Sequence, residues 1–156
     1  MTEAPAVDAS SLIFLARTAS LHLLKSLAPK LVVPIPVLEE IRAKGIEDAS
    51  LQAVEGSPWL SVVQVSYEQE RAGGLTLGKG ESAVLAWARS HPGAFAVLDD
   101  QRARSHAFSL QIPVIGTLGV VLRAKRLGMI PSVRPVVESL IAKGMYLSRS
   151  VVEKAL

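Results

Sequence analysis

Phe95-Ala96-Val97-Leu98-Asp99-Asp100-Gln101-Arg102 is an unbroken apolar run stopped by two carboxylates, and its character decides the fold. A strand with one wet face alternates apolar and polar residues. This one does not, so both faces are expected to be covered, as in the parallel sheet of an α/β protein. The pattern recurs along the chain. Ala6-Val7 is a short first strand that ends at Asp8, Leu31–Ile35 reads as the second, Trp59–Val65 as the third and Pro113–Ile115 as the fifth.

Helical stretches separate these runs. Leu12, Leu15, Ala16, Ala19 and Leu23 fall on one stripe after the first strand, with Ser10 or Ser11 as the expected N-cap. Pro36 suits the start of a helix from Val37 to about Lys44 that Gly45 stops, and a shorter helix is expected over Asp48–Val54. A loop over Arg71–Gly80 leads into a helix over Glu81–Arg89. Further helices are expected over Gln101–Leu110, Leu118–Arg126, Val133–Lys143 and Val151–Leu156. Strands alternating with helices predict a three-layer α/β/α sandwich around a parallel sheet of about five strands, built as one domain over residues 1–156.

Composition narrows the chemistry. The 156 residues include no cysteine and three scattered histidines. Thiolate nucleophiles, iron–sulfur clusters and His- or Cys-built zinc sites are therefore excluded, and any metal must be held by oxygen. Aromatic residues make up only 4%, which argues against a broad platform for stacking bases. The net charge of +3 hides an asymmetry: residues 1–100 hold 8 Lys/Arg against 12 Asp/Glu, and residues 101–156 hold 9 against 2. A basic last third beside clustered acids suits a polyanionic partner, although solvated helix faces explain the same charges. Glu3 stands where a secretory leader would carry a basic residue, and the longest apolar run, near Val114–Leu122, is broken by Gly116 and Gly119. That run is short of the roughly 18 residues a membrane span needs, so a cytoplasmic protein is expected.

The acids carry the most information. In an open parallel sheet ligands bind beyond the carboxyl ends of the strands, where the strand order reverses. With the order 3-2-1-4-5, strands one and four are neighbours at that reversal, and Asp8 would face Asp99 and Asp100 across one crevice. Glu40, after strand two, and Glu81, before strand four, can point into the same place. Taken singly, each has a plainer explanation: Asp8 and Asp100 as helix caps, Glu81 as a charge on a helix dipole, Glu40 on a solvated face. Gathered together they would repel one another unless a divalent cation compensates. Mg2+ or Mn2+ suits an all-oxygen site and a phosphodiester substrate. Gly73–Gly80 imitates a phosphate-binding loop, G-x-x-x-x-G-K-[ST], but ends in glycine where the hydroxyl should stand and follows no strand.

These segments also carry a resemblance. Val7-Asp8-Ala9-Ser10, Val33–Ile41, Leu77–Ser82, Val97–Arg104, Pro113–Gly119 and Arg123–Arg126, in that order over about residues 6–147, resemble a PIN domain of a branch long catalogued only as a domain of unknown function. The resemblance implies a metal-dependent ribonuclease, using Mg2+ or Mn2+, of the kind that serves as the toxin of a toxin–antitoxin pair. It also implies a small antitoxin partner, an RNA substrate and a homodimer. Carried over by position, Asp8, Glu40, Glu81 and Asp100 are the metal-site acids, with Asp99 an auxiliary ligand and Ser10 the hydroxyl beside Asp8. Glu39 is the weaker choice beside Glu40, and Glu81 stands where other branches commonly carry Asp.

Arg102 and Arg104 follow the Asp pair and are candidates to contact a phosphate, as is Thr117 at the start of a helix; solvated positions explain the arginines equally well. His22, His91 and His106 lack the partners of a hydrolytic triad. Val136, Val137, Leu140 and Ile141 form a stripe suited to core packing or a dimer face. The rival to a nuclease is a PIN-like module that binds RNA or protein without cutting, which need not keep four acids. A receiver-type signalling domain is excluded, because Asp8 stands alone after strand one and no acid ends strand three.

Overall fold

A computed structural model describes residues 3–45, 48–71 and 77–156 of the chain. Its strands are β1 (Ala6–Val7), β2 (Leu31–Pro34), β3 (Leu60–Val63), β4 (Ala96–Val97) and β5 (Val114–Ile115). They form one all-parallel sheet in the order β3-β2-β1-β4-β5, the arrangement expected from the sequence. Every residue of β1, β2 and β4 is buried. Because successive side chains point to opposite sides of a strand, both faces of the central sheet are covered.

The helices supply that cover. α1 (Ala9–Arg17), α2 (Ile35–Arg42) and α3 (Ala49–Glu55) follow the first two strands; α4 (Glu68–Arg71) and α5 (Lys79–Ser90) follow β3. α6 (Gln101–Ser109) joins β4 to β5, and α7 (Thr117–Arg126), α8 (Arg134–Ala142) and α9 (Arg149–Ala155) complete the chain. α5 lies across β1, β2 and β4 and packs on α2, α4 and α6, while α1 packs on α3 and α7. Leu12, Leu15, Leu31, Leu85, Leu98 and Leu140 are fully buried between these layers, and each contributes about 1.5–3 kcal/mol relative to an exposed side chain. No helix among the described residues is long and apolar enough to cross a membrane.

Three local expectations are corrected. The first helix does not run on to Leu23: it stops at Arg17, Ala19 takes a left-handed φ of 54°, and Leu21–Ser26 forms a separate 3-10 turn. Ile35 begins α2 rather than ending β2, because Pro36 in the first turn has the φ a helix start requires. α4 was not expected; it is pinned by Glu70, only 3% exposed, whose Oε1 lies 2.7 Å from Arg89 Nη2 on α5. Of the phosphate-loop imitation, Gly73, Gly74, Leu75 and Thr76 lie outside the described residues. The remainder opens α5. The stripe on α8 divides, with Val137 and Leu140 in the core and Ile141 exposed.

Candidate metal centre

β1 and β4 are neighbours in register, Val7 opposite Val97, so the residues leaving their carboxyl ends emerge side by side. Asp8 follows β1 and caps α1, its Oδ1 accepting the Ala9 N–H at 2.7 Å. The cap is thus Asp8, not Ser10 or Ser11. Asp100 caps α6 in the same way, its Oδ2 accepting the Ala103 N–H at 3.1 Å. The plain explanation of these two acids as helix caps is correct, and it serves the site as well. A cap fixes where the carboxylate stands and aligns it with the positive end of a helix.

Glu40 and Glu81 arrive through the packing of α2 against α5. Glycine at position 80 lets the two helices approach closely, and the Gly80 N–H donates to Glu40 Oε1 at 3.1 Å. A Cβ there would overlap that oxygen and stand 3.1 Å from Glu40 Cδ and 3.3 Å from Val37 Cγ2. Glu81 folds back so that its Oε1 accepts the Gly78 N–H at 3.2 Å, the half of a capping box that a glycine cap permits. Glu39, one residue away, lines a different cavity beside Tyr67 and Lys79.

Asp8, Ser10, Glu40, Glu81, Asp99 and Asp100 together line one open cavity of about 390 Å3. Their mutual repulsion shows in their titration. Burial, then the charge of Glu81, pushes the Asp8 carboxyl up to about 8 against the pull of the Ala9 N–H, with Glu40 and Asp99 adding smaller pushes. Glu81 is raised by burial and, against the Gly78 N–H, by the charge and hydrogen bond of Asp100 and by the charge of Glu40. A cation in the cavity would relieve both. The donors are all carboxylate and hydroxyl oxygens, a set that suits Mg2+ or Mn2+. Among the described residues no three acidic or histidine side chains stand close enough to ligate one ion together. The fit is therefore to an ion that keeps several of its own waters and takes one or two carboxylates directly, as Mg2+ does.

Asp99 plays another part. Its Oδ1 accepts the Thr117 N–H at 2.8 Å, and its Oδ2 accepts the Thr117 hydroxyl at 2.6 Å and the Ser11 hydroxyl at 3.1 Å. Thr117 Oγ1 also lies 2.9 Å from Ser11 Oγ. Both oxygens of Asp99 are thus engaged in tying α1, β4 and α7 together, so Asp99 braces the site as well as lining the cavity. Thr117, expected to meet substrate, is wholly buried in this brace. Ser11 is the member of this brace that sequence reasoning missed; its spacing from Asp8 gave no signal, because only the fold brings it to Asp99. Ser10 remains at the cavity wall. Arg104 is half-buried and donates to Leu98 O at 3.2 Å, whereas Arg102 is exposed on α6. His91 stacks on Trp87 with ring centroids 3.7 Å apart, and its Nδ1 lies 2.8 Å from Trp87 O.

A family model described as a PIN domain matches residues 5–156. No curated protein matches the chain. PIN domains are generally nucleases, and divalent metals are their typical cofactors. The matched span takes in every strand of the sheet and every acid of the cavity, and the chain belongs to the PIN-domain family.

Proposed function

We propose that the chain is a divalent-metal-dependent endoribonuclease, acting in the cytoplasm as the toxin of a toxin–antitoxin pair. The observation that supports this most is the convergence of Asp8, Glu40, Glu81 and Asp100 on one cavity at the carboxyl edge of the sheet. Acids from four separate segments meeting in one cavity, with the pKa of Asp8 and of Glu81 raised there, exceed what two helix caps and a capping box require.

A Mg2+ or Mn2+ bound here would acidify a water and stabilise charge that develops on a phosphate. Asp8 and Asp100, fixed by their helix caps, would hold the ion, and Glu40, its carboxylate oriented by the Gly80 N–H, would complete the acidic wall around it. Glu81, its Oε1 held by the Gly78 N–H, takes the proton of the water that attacks the RNA phosphodiester in line. Asp99 keeps β4 and α7 in register through Thr117 and Ser11. Basic side chains of the last third, Arg102 and Arg104 among them, hold the flanking phosphates. A small antitoxin silences the enzyme, and the chain works as a homodimer.

The test is incubation of the purified protein with structured RNAs, with and without Mn2+ or Mg2+, alongside Asp8→Asn and Asp100→Asn. Cleavage should require metal and disappear in both variants. Cleavage that survives a chelator and both substitutions refutes the mechanism. RNA that is bound but never cut favours the non-catalytic binding module.

A further inference from the structure

β3 is an end strand of the sheet and, among the described residues, pairs only with β2. Where every residue of β1, β2 and β4 is buried, Ser61 and Val62 of β3 are exposed, Val62 to 50%. Natural sheets usually blunt such an edge with charge, proline or a bulge, because its unpaired backbone groups invite another strand. None of these stands here. Residues 59–67 include no charged residue and no proline, and the register of β3 with β2 runs without a skip. The opposite edge is different: β5 is two residues long and lies between Pro113 and Gly116.

The backbone groups on the β3 edge come in a definite order. The Leu31 N–H donates to Trp59 O at 3.0 Å, and Leu31 stands opposite Leu60. Alternation then turns the groups of Ser61 and Val63 toward β2, and those of Leu60 and Val62 away from the sheet. The Leu60 N–H is already taken by Ser57 O at 3.0 Å. Left facing outward are Leu60 O, Val62 N–H, Val62 O and, next in the alternation, Gln64 N–H. Read in the reverse direction, this set offers a donor for every acceptor, so it is its own complement about a two-fold axis at Val62.

We infer that the β3 edge pairs antiparallel with the β3 edge of a second copy of this chain, Val62 opposite its counterpart. The two Val62 residues exchange N–H and C=O, and each Gln64 N–H meets the Leu60 O of the other copy, which uses every outward group. The two Val62 side chains, half exposed in one chain, cover each other. Each copy carries a net charge of +3, yet they meet along a stretch with no charge to repel. A strand of another protein could match part of this edge; a second copy uses the whole of it. The inference takes up the homodimer of the proposed function and assigns its interface, independently of RNA cleavage. Antiparallel pairing also sets the carboxyl edges of the two sheets on opposite sides, so each acid cavity works within its own chain.

The chain has no cysteine, so one introduced thiol reports the contact directly. Val62→Cys sets two Cα atoms about 5.5 Å apart across the axis, within the roughly 4.4–6.8 Å that a disulfide spans. Gln64→Cys sets them about 14 Å apart along the strands. Under a mild oxidant Val62→Cys should crosslink about tenfold faster than Gln64→Cys, read on non-reducing gels. In sedimentation velocity the unsubstituted chain should run as a dimer. Val62→Lys sets two ammonium groups against each other on the axis and should raise the dissociation constant by about tenfold or more. Its Tm should hold, because the side chain is exposed. Equal crosslinking at the two positions, or an unchanged dissociation constant in Val62→Lys, overturns this interface and leaves the homodimer standing. An unsubstituted chain that stays monomeric overturns both, leaving the edge to a strand of another protein, and RNA cleavage by that monomer would leave the nuclease reading intact.

Discussion

Replacing Gly80 by alanine should separate stability from metal binding. The added methyl group would overlap Glu40 Oε1, the acceptor of the Gly80 N–H. That oxygen is the far end of a flexible, exposed side chain, so Glu40 can swing away at little cost to the fold. Two terms then oppose each other: alanine is better in a helix than glycine by about 0.5–1 kcal/mol, and the lost hydrogen bond costs about 0.5–1.5 kcal/mol. The net change is within about 1 kcal/mol, a Tm shift of no more than about 4 °C for a chain of this length. Metal binding should suffer more, because Glu40 leaves the cavity it shares with Asp8, Glu81 and Asp100. Groups that orient a metal site typically change affinity by about 10- to 100-fold, and a loss at the lower end is expected. Calorimetric titration with Mn2+, paired with thermal melting in chelator, measures both quantities. A double-mutant cycle with Glu40→Gln tests the route: Gly80→Ala should add nothing once Glu40 has lost its charge. Unaltered Mn2+ affinity in Gly80→Ala, or a full further loss in the Glu40→Gln background, would refute the reasoning.

The same geometry makes pH and the buried brace testable. Asp8 keeps its proton in the fold up to about pH 8 but ionises near 3.8 when unfolded, so the folded state binds the extra proton. The stability of the metal-free protein should therefore fall as pH rises from 3.8 to about 8 and level off above that. Asp8→Asn, which still caps α1, should flatten that slope in chelator and abolish the stabilisation by Mn2+ at pH 8, both read as Tm against pH; parallel profiles would refute the assignment. Thr117→Val removes a hydroxyl from a wholly buried site and leaves Asp99 Oδ2 and Ser11 Oγ short of a partner. It should cost about 1–3 kcal/mol in urea denaturation, and a loss below that range would mean that water replaces the hydroxyl.

Much of the fold was written in local sequence. The apolar, non-alternating runs at β1, β2 and β4 predict a sheet covered on both sides, and the acids that stop two of them mark its carboxyl edge. The meeting of Glu40 with Glu81 was not legible there, because it depends on the approach of α2 to α5 across Gly80. Three features stayed hidden for one reason. The left-handed turn at Ala19, the pairing of buried Glu70 with exposed Arg89 that pins α4, and the Ser11–Asp99–Thr117 brace all run against or beyond what neighbouring residues dictate. Alanine at a positive φ and glutamate in a core oppose local propensity, so tertiary packing had to override it. The brace also explains why two adjacent aspartates take different roles. Asp100 caps a helix at the cavity rim, while Asp99 turns inward to donors that only the folded chain provides.

Pairing between β1 and β4 joins Ala6 to Ala96, so the first acid of the cavity waits for a strand ninety residues later in the chain. A polypeptide emerging from the ribosome holds Asp8 and Glu40 long before Asp100, and the brace closes only when Thr117 follows. Such distant pairings form slowly. On the proposed activity, a ribonuclease built this way is harmless to the message and the ribosome that are making it until most of its chain has been synthesised.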